Sequence, residues 1–436
     1  MKRASSYAMG LLCAMLTIPA FGQDVHIVSV DDLDARIPIA VPPFAAVSPD
    51  LVPIAEEMAE VIAFDLDFSG MFIILDEQDY PENFRGLEPD VARLDREAWR
   101  ATRAEHLVYG VLQQEGDQLV AQFRLFDLFS MDQIVGQELR VDRQHPRLAA
   151  HRFSEEVIRY LTGTPGIGTT EIVFSAGPMG EKELYIADYD GANVRQITRH
   201  GSISIMPKLS PDGNRIAYLS YKDRYSFLYI YDRRDGVSAP LSREVGLNAA
   251  PAWAPNGEYL AMTLSKDGNS EIYFRNPDGS NLRRITRNRD SDTSPSFSPD
   301  GSQIAFVSDR GGNAQIYMMN SDGGNERRIS FQGGSSYDPA WSPCGRYFAY
   351  VVERRGEGLE IYMMDSDGSN PRRLTDSHGI NESPNWSPDS RHIIFTTTRS
   401  GSPRLHTINV ETGEDRPIAR LANMRTEGGT WGPRRR

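Results

Sequence analysis

The residues able to do chemistry are plentiful in this chain, but their spacing is not that of an active site. Its eight histidines are scattered, with no metal-ligand spacing among them. There is no serine-hydrolase elbow, no Walker loop, no Cys-x-x-Cys pair and no His-Glu-x-x-His. Those absences argue against nucleophilic, phosphoryl-transfer and zinc chemistry, so no catalytic residue, metal or cofactor is expected. The recurring Asp212, Asp300 and Asp389 are of the type that binds calcium. Each stands in a Ser-Pro-Asp phrase, however, where a carboxylate serves the backbone of a turn. The pairs Arg283-Arg284, Arg327-Arg328 and Arg372-Arg373 recur at one repeat position, which reads as a solvated outer strand. Cys344 replaces an aspartate of the repeat phrase and reads as a tolerated substitution.

The stretches just before those phrases say more. Residues 202–206, 246–250, 290–294, 335–338 and 379–383 vary from one copy to the next and read as loops. A repeat would gather them on one face around a central channel, and loops held by a rigid scaffold are where binding resides.

The repeat that would position them is plain. Leu209-Ser-Pro-Asp-Gly213, Trp253-Ala-Pro-Asn-Gly257, Phe297-Ser-Pro-Asp-Gly301, Trp341-Ser-Pro-Cys-Gly345 and Trp386-Ser-Pro-Asp-Ser390 are versions of one phrase. Their prolines are spaced by 44, 44, 44 and 45 residues. Each phrase leads into a β-rich run such as Ile304-Ala-Phe306. A second run such as Gln315-Ile-Tyr-Met318, an Asp-Gly turn and a closing Arg-Ile-Thr phrase follow. Asp-Gly and Asn-Gly supply the positive φ of tight hairpin turns, and proline stops a strand before them. A four-stranded unit of this period must stack on copies of itself, which predicts a β-propeller. Residues 171–198 carry the later part of a repeat without its opening, and Trp431-Gly-Pro433 is an opening without a sequel. The two fragments predict a sixth blade, closed by the last strand.

The preceding third has a different texture. Residues 53–68 place Ile54, Met58, Val61, Ile62 and Leu66 on one helical face, and residues 147–161 do the same with Ala150, Phe153, Val157 and Leu161. Residues 37–44, 71–75, 107–112, 118–128 and 134–141 read as strands, predicting a small α/β domain over 35–165. Thr162-Gly-Thr-Pro-Gly-Ile-Gly168 reads as a linker to a propeller over 166–436. Residues 1–22 have the basic start, short apolar run and Ala20-Phe21-Gly22 site of a cleavable export signal. Without Lys2 and Arg3, 45 basic residues face 60 acidic ones, a charge of −15. An acidic chain suits neither nucleic acid nor anionic lipid, and no later stretch is long enough to enter a bilayer. Removal of the signal leaves Cys344 as the one cysteine, so no disulfide is expected.

Export signal, α/β domain and six blades together resemble the TolB family, periplasmic components of the Tol–Pal system. The resemblance spans essentially everything after residue 22. It rests on Arg36-Ile-Pro-Ile-Ala-Val-Pro-Pro-Phe44, the helix end between Asp65 and Phe72, Asp188-Tyr-Asp-Gly191 and Trp431-Gly-Pro433. It implies a non-enzymatic monomer that links envelope proteins during outer-membrane invagination and supports outer-membrane integrity. By motif position, the propeller mouth would bind the peptidoglycan-associated lipoprotein Pal through Leu247, Asn248, Ala250 and Thr293, with Tyr337 and Glu382 beside them. Leu247 is apolar at a position where the family admits a polar residue. The inner-membrane protein TolA would engage residues 23–34, including Asp24, Val25, His26, Ile27, Val28, Val30 and Asp31. Their mix of charge and β-branched residues is able to add a strand to a partner sheet. The alternative is a propeller enzyme or carbohydrate-binding protein of the periplasm, which would need acid/base or metal-ligating groups in the channel.

Overall fold

The punctuation of the repeat is expressed as blades. The computed structural model describes residues 36–81, 95–354, 356, 358–376 and 379–435. Five consecutive four-stranded antiparallel meanders follow one another from Ser204. A sixth is assembled from both ends of the propeller, in the order Thr426–Arg434, Thr170–Ala176, Glu183–Asp188, Arg195–Gln196. The fold is a small α/β N-terminal domain followed by a six-bladed propeller with C-terminal strand closure. Residues 24–31 lie outside the described residues.

Where the sequence suggested variable loops, the structure has the innermost strands of five blades: Ser204–Leu209, Asn248–Trp253, Asp292–Phe297, Ser336–Trp341 and Asn381–Trp386. A bulge in each hides the strand from a pattern search, because pairing skips from Ala249 to Ala252 and likewise in the others. The skipped residues end in Pro207, Pro251, Pro295, Pro339 or Pro384, which have no N–H to give a ladder. The residue before each proline (Met206, Ala250, Ser294, Asp338, Ser383) takes a φ of 48–55°. The closing strand has Gly428 there, which adopts its φ of 63° freely.

The turn phrases lock the blades together at the other end of the channel. Gly213 has a φ of 71°, and a Cβ added to it would lie 3.2 Å from Pro433 of the neighbouring phrase. The aspartates cap these turns: Ser298 Oγ donates to Asp300 Oδ1 at 2.6 Å, and the Ser302 N–H at 3.0 Å. Burial opposes the Asp212 charge, but hydrogen bonds from Ser210 and Asn214 outweigh it and hold that carboxyl at about 2. Cys344 stands in the same role, its Sγ 3.3 Å from Ser342 Oγ. Trp253 and Trp386 staple neighbouring blades, each donating its indole N–H at 3.0 Å to a carbonyl of the preceding inner strand, Lys208 or Ala340.

The arginine pairs are not simply solvated. The second arginine reaches inward: Arg284 Nη2 bonds Glu271 Oε1 at 2.7 Å, and Arg373 Nη2 bonds Glu360 Oε1 at 2.8 Å. Both glutamates are buried, and each accepts the hydroxyl of Thr286 or Thr375. The closing Arg-Ile-Thr phrase is thus a clasp on the third strand.

The N-terminal domain is a mixed sheet in the order β3 (Phe72–Ile74), β1 (Ile37–Ala40), β4 (His106–Glu115), β5 (Gln118–Asp127), β6 (Gln133–Asp142). A two-residue β2 (Ala45–Ala46) also pairs with β4. Helices α1 (Val52–Phe68) and α3 (Pro146–Thr162) cover one face, with Met58, Ile62, Leu66, Phe123, Phe153 and Val157 in the core between. The short α2 (Arg96–Arg100), not expected from sequence, puts Trp99 on the other face with Leu107 and Tyr109. The expected linker is a packed joint. Ile167 is buried, Arg434 Nε donates to the Gly166 carbonyl at 2.6 Å, and a Cβ on Gly168 would lie 2.7 Å from Asp65 Oδ2.

Trp431 lies at the heart of the closure, buried, with its indole N–H 2.8 Å from Thr170 Oγ1. Trp431→Ala is expected to remove about 3–5 kcal/mol of stability, read from the urea midpoint. An unchanged midpoint would contradict the closure as drawn.

Candidate functional site

All six inner strands start at one face, so equivalent residues form rings around the channel. The first ring is Ser204, Asn248, Asp292, Ser336, Asn381 and Thr426, all buried. All but Ser336 make side-chain hydrogen bonds that hold the rim from behind. Asn248, expected at the docking surface, has no exposed area: Oδ1 accepts Ser242 Oγ at 2.8 Å and the Glu244 N–H at 3.0 Å. Its Nδ2 donates to the Glu244 carbonyl at 2.8 Å. With both ends of the amide used internally, Asn248 positions the loop and does not face outward. Asp292 is held the same way, in a two-pronged pair with Arg310 at 2.9 Å.

The second ring is Ile205, Ala249, Thr293, Tyr337, Glu382 and Glu427, and the third is Met206, Ala250, Ser294, Asp338, Ser383 and Gly428. Thr293, Tyr337 and Glu382 are half-buried in the mouth, and Ala250 lines the cavity below. Leu247 sits on the rim, 37% exposed, with its N–H held by Ser265 Oγ at 2.8 Å. The structure therefore brings Leu247, Ala250, Thr293, Tyr337 and Glu382 to one mouth. Beneath it lies a cavity of about 540 Å³ whose wall includes Met206, Lys208, Ala250, Ser294, Asp338 and Ser383.

Charge in this wall is expensive. Burial pushes the Asp338 carboxyl up, with Lys208 and a Ser383 N–H opposing, and burial pulls the Lys208 ammonium down against Asp338. Burial also pushes Glu382 up, reinforced by Asp338 and Glu427 and opposed by Lys182, which pairs with Glu427. Around the mouth, sequence reasoning passed over Met179 (84% exposed), Val245 (84%), Tyr225 (67%) and Phe331 (66%). Each is a large apolar side chain in a loop opening on this face. Their signal in the sequence was an apolar residue inside a polar loop.

The N-terminal domain sits on the opposite face. His392 Nε2 donates to the Phe68 carbonyl at 2.8 Å, Arg416 Nη1 to Asp67 Oδ2 at 2.6 Å, and the Tyr189 hydroxyl to Asp65 Oδ1 at 2.6 Å. These propeller residues belong to the ends of blades away from the mouth, which stays open.

A closed six-bladed ring with a mouth on one face and an α/β domain on the other defines a two-domain β-propeller protein. Residues 25–134 match the TolB amino-terminal domain, and residues 158–357 and 334–434 match the TolB beta propeller domain. The chain belongs to the TolB family. It is 36% identical over 234 residues to the Tol-Pal system protein TolB of Dinoroseobacter shibae, covering 51% of this chain and 52% of that one. It is 35% identical over 225 residues to that of Desulfosudis oleivorans, covering 50% and 51%. The chain thus spans about half the length of the curated relatives it matches. The crystal structure of TolB from Acinetobacter baumannii aligns with a TM-score of 0.80 at 25% identity, covering 92% of this chain and 97% of that one.

Glu382→Gln removes a charge that the fold disfavours. A carboxyl whose folded pKa is raised costs stability above that pKa, and the cost fades as falling pH protonates it. The variant is expected to melt higher than the parent near neutral pH and to match it at pH about 3.5. A lower melting temperature at neutral pH would show that Glu382 is instead stabilised by Lys182.

Proposed function

We propose that this chain is a non-enzymatic, monomeric periplasmic interaction component of the Tol–Pal system. In this reading Pal docks on the propeller mouth and TolA engages residues 23–34, so that the chain links the two during outer-membrane invagination and supports outer-membrane integrity. One observation carries the reading: the rim residues and their exposed apolar neighbours are gathered on the face that the N-terminal domain leaves open. A rigid mouth costs a partner little ordering entropy on docking. The cavity below adds an acidic group, Asp338, and a basic one, Lys208, for polar contacts.

The enzyme alternative would need a cluster of acid/base or metal-ligating groups in the same wall. Among the described residues, Lys208 and Asp338 are its charged groups, and it includes no histidine or cysteine. An export signal at residues 1–22 supports the periplasmic placement, and among the described residues no helix is long and apolar enough to cross a membrane.

Calorimetric titration with the soluble domain of the organism's own Pal tests the docking face. Binding is expected for the parent and is expected to be lost on the double substitution Leu247→Arg, Thr293→Arg. Binding that survives in the double variant moves the site elsewhere, and none by the parent removes the reading. For TolA, deletion of residues 23–34 is expected to abolish binding; an unchanged affinity would place the TolA contact on another surface.

A further inference from the structure

The joint between α3 and the propeller holds a second cluster that the docking function leaves unused. His151 on α3 is fully buried, with Nδ1 2.8 Å from Asp65 Oδ2. A carboxylate only accepts, so Nδ1 carries the proton and the lone pair of the neutral ring is on Nε2. That Nε2 is buried and has no hydrogen-bond partner. A ring nitrogen of His151 and one carboxylate oxygen each from Asp188 and Asp190 lie within 4.8 Å of one another. With Nδ1 taken by Asp65, Nε2 is the nitrogen free to act as a ligand.

The surroundings are those of oriented ligands. Asp188 is fixed by Arg435 Nη2 at 2.8 Å and Asn193 Nδ2 at 2.6 Å. Asp190 is fixed by Arg147 and, at 3.0 Å, by the Ala192 N–H. Asp65, behind the imidazole, accepts the hydroxyls of Ser154 and Tyr189 as well. A histidine whose other nitrogen donates to a carboxylate, facing carboxylates that are themselves hydrogen-bonded, is the arrangement found around protein-bound metal ions.

We propose that His151, Asp188 and Asp190 form a binding site for a divalent first-row transition ion, zinc foremost. One imidazole and two carboxylates are donors such an ion accepts. A cavity of about 400 Å³ lined by Arg147, Tyr189 and Asp190 borders the cluster on its Asp190 side. Bound there, the ion ties α3 to the turn after the strand Glu183–Asp188, clamping the N-terminal domain to the propeller. The rival occupant of Nε2 is a proton: burial works against a charged ring, but the charge and hydrogen bond of Asp65 prevail and raise its pKa.

The full chain, purified without metal-chelating resin, is loaded with Zn²⁺, dialysed against metal-free buffer and assayed by elemental analysis. Titration of the metal-free protein with Co²⁺ is followed by its visible absorption. One equivalent of zinc is expected to remain, and Co²⁺ is expected to develop ligand-field bands. His151→Gln keeps an amide N–H for Asp65 and is expected to weaken Co²⁺ binding by more than about tenfold, with an unchanged circular dichroism spectrum. No retained zinc, or the same Co²⁺ spectrum and affinity in the variant, overturns the site and leaves Nε2 to a proton. Should the variant not fold, X-ray absorption of the zinc-loaded parent decides. A single imidazole among oxygen donors is expected, and a sulfur ligand or several imidazoles would overturn the assignment.

Discussion

A blade of four short strands has two apolar faces and two raw edges, and only its neighbours can cover the faces. A stack of blades therefore stays incomplete at both ends until the ends meet. Here they meet through one ladder, in which Thr426–Arg434 pairs with Thr170–Ala176 at Thr426–Ala176, Trp431–Ile172 and Arg434–Thr170. The same strand holds the other domain. Arg434 bonds the Gly166 carbonyl, and the Trp431 ring lies 6.5 Å from that of Phe68 at the end of α1. Closing the ring and seating the N-terminal domain are one structural event.

Closure also leaves one face of the ring open. With the N-terminal domain on the other face, the rings of the mouth are held from behind by buried polar residues such as Asn248 and Asp292. Five of the six inner strands carry a non-glycine residue at positive φ beside the cavity. Backbone of that kind costs on the order of 1–3 kcal/mol per residue and persists only where packing enforces it. Asp338 and Lys208, whose charges burial opposes, line the same cavity.

Much of this could be read from the sequence, because the repeat is written in turn chemistry. Proline-led turn phrases 44–45 residues apart specify blade number, and the incomplete units at either end specify closure. What escaped has physical causes. The inner strands read as loops because a proline and a left-handed residue interrupt their alternation, although the bulge leaves both flanks paired. Motif position places Asn248 at the mouth, but it does not distinguish a solvated amide from one satisfied internally. The inward reach of Arg284 and Arg373 depends on the buried Glu271 and Glu360, one strand away. The cluster of His151, Asp188 and Asp190 draws on two domains, so no local spacing announces it. Both α2 and β2 are too short to leave a periodic signal.

A partner docked on the open mouth, as proposed, shields its rim. Hydrogen–deuterium exchange of the full chain, with and without the soluble domain of Pal, tests it without any substitution. Protection is expected at residues 244–250, 288–294 and 331–338 and in the hairpin turns beside them, with none at the Ser-Pro-Asp-Gly turns of the opposite face. Protection confined to those turns or to the N-terminal domain would contradict the account.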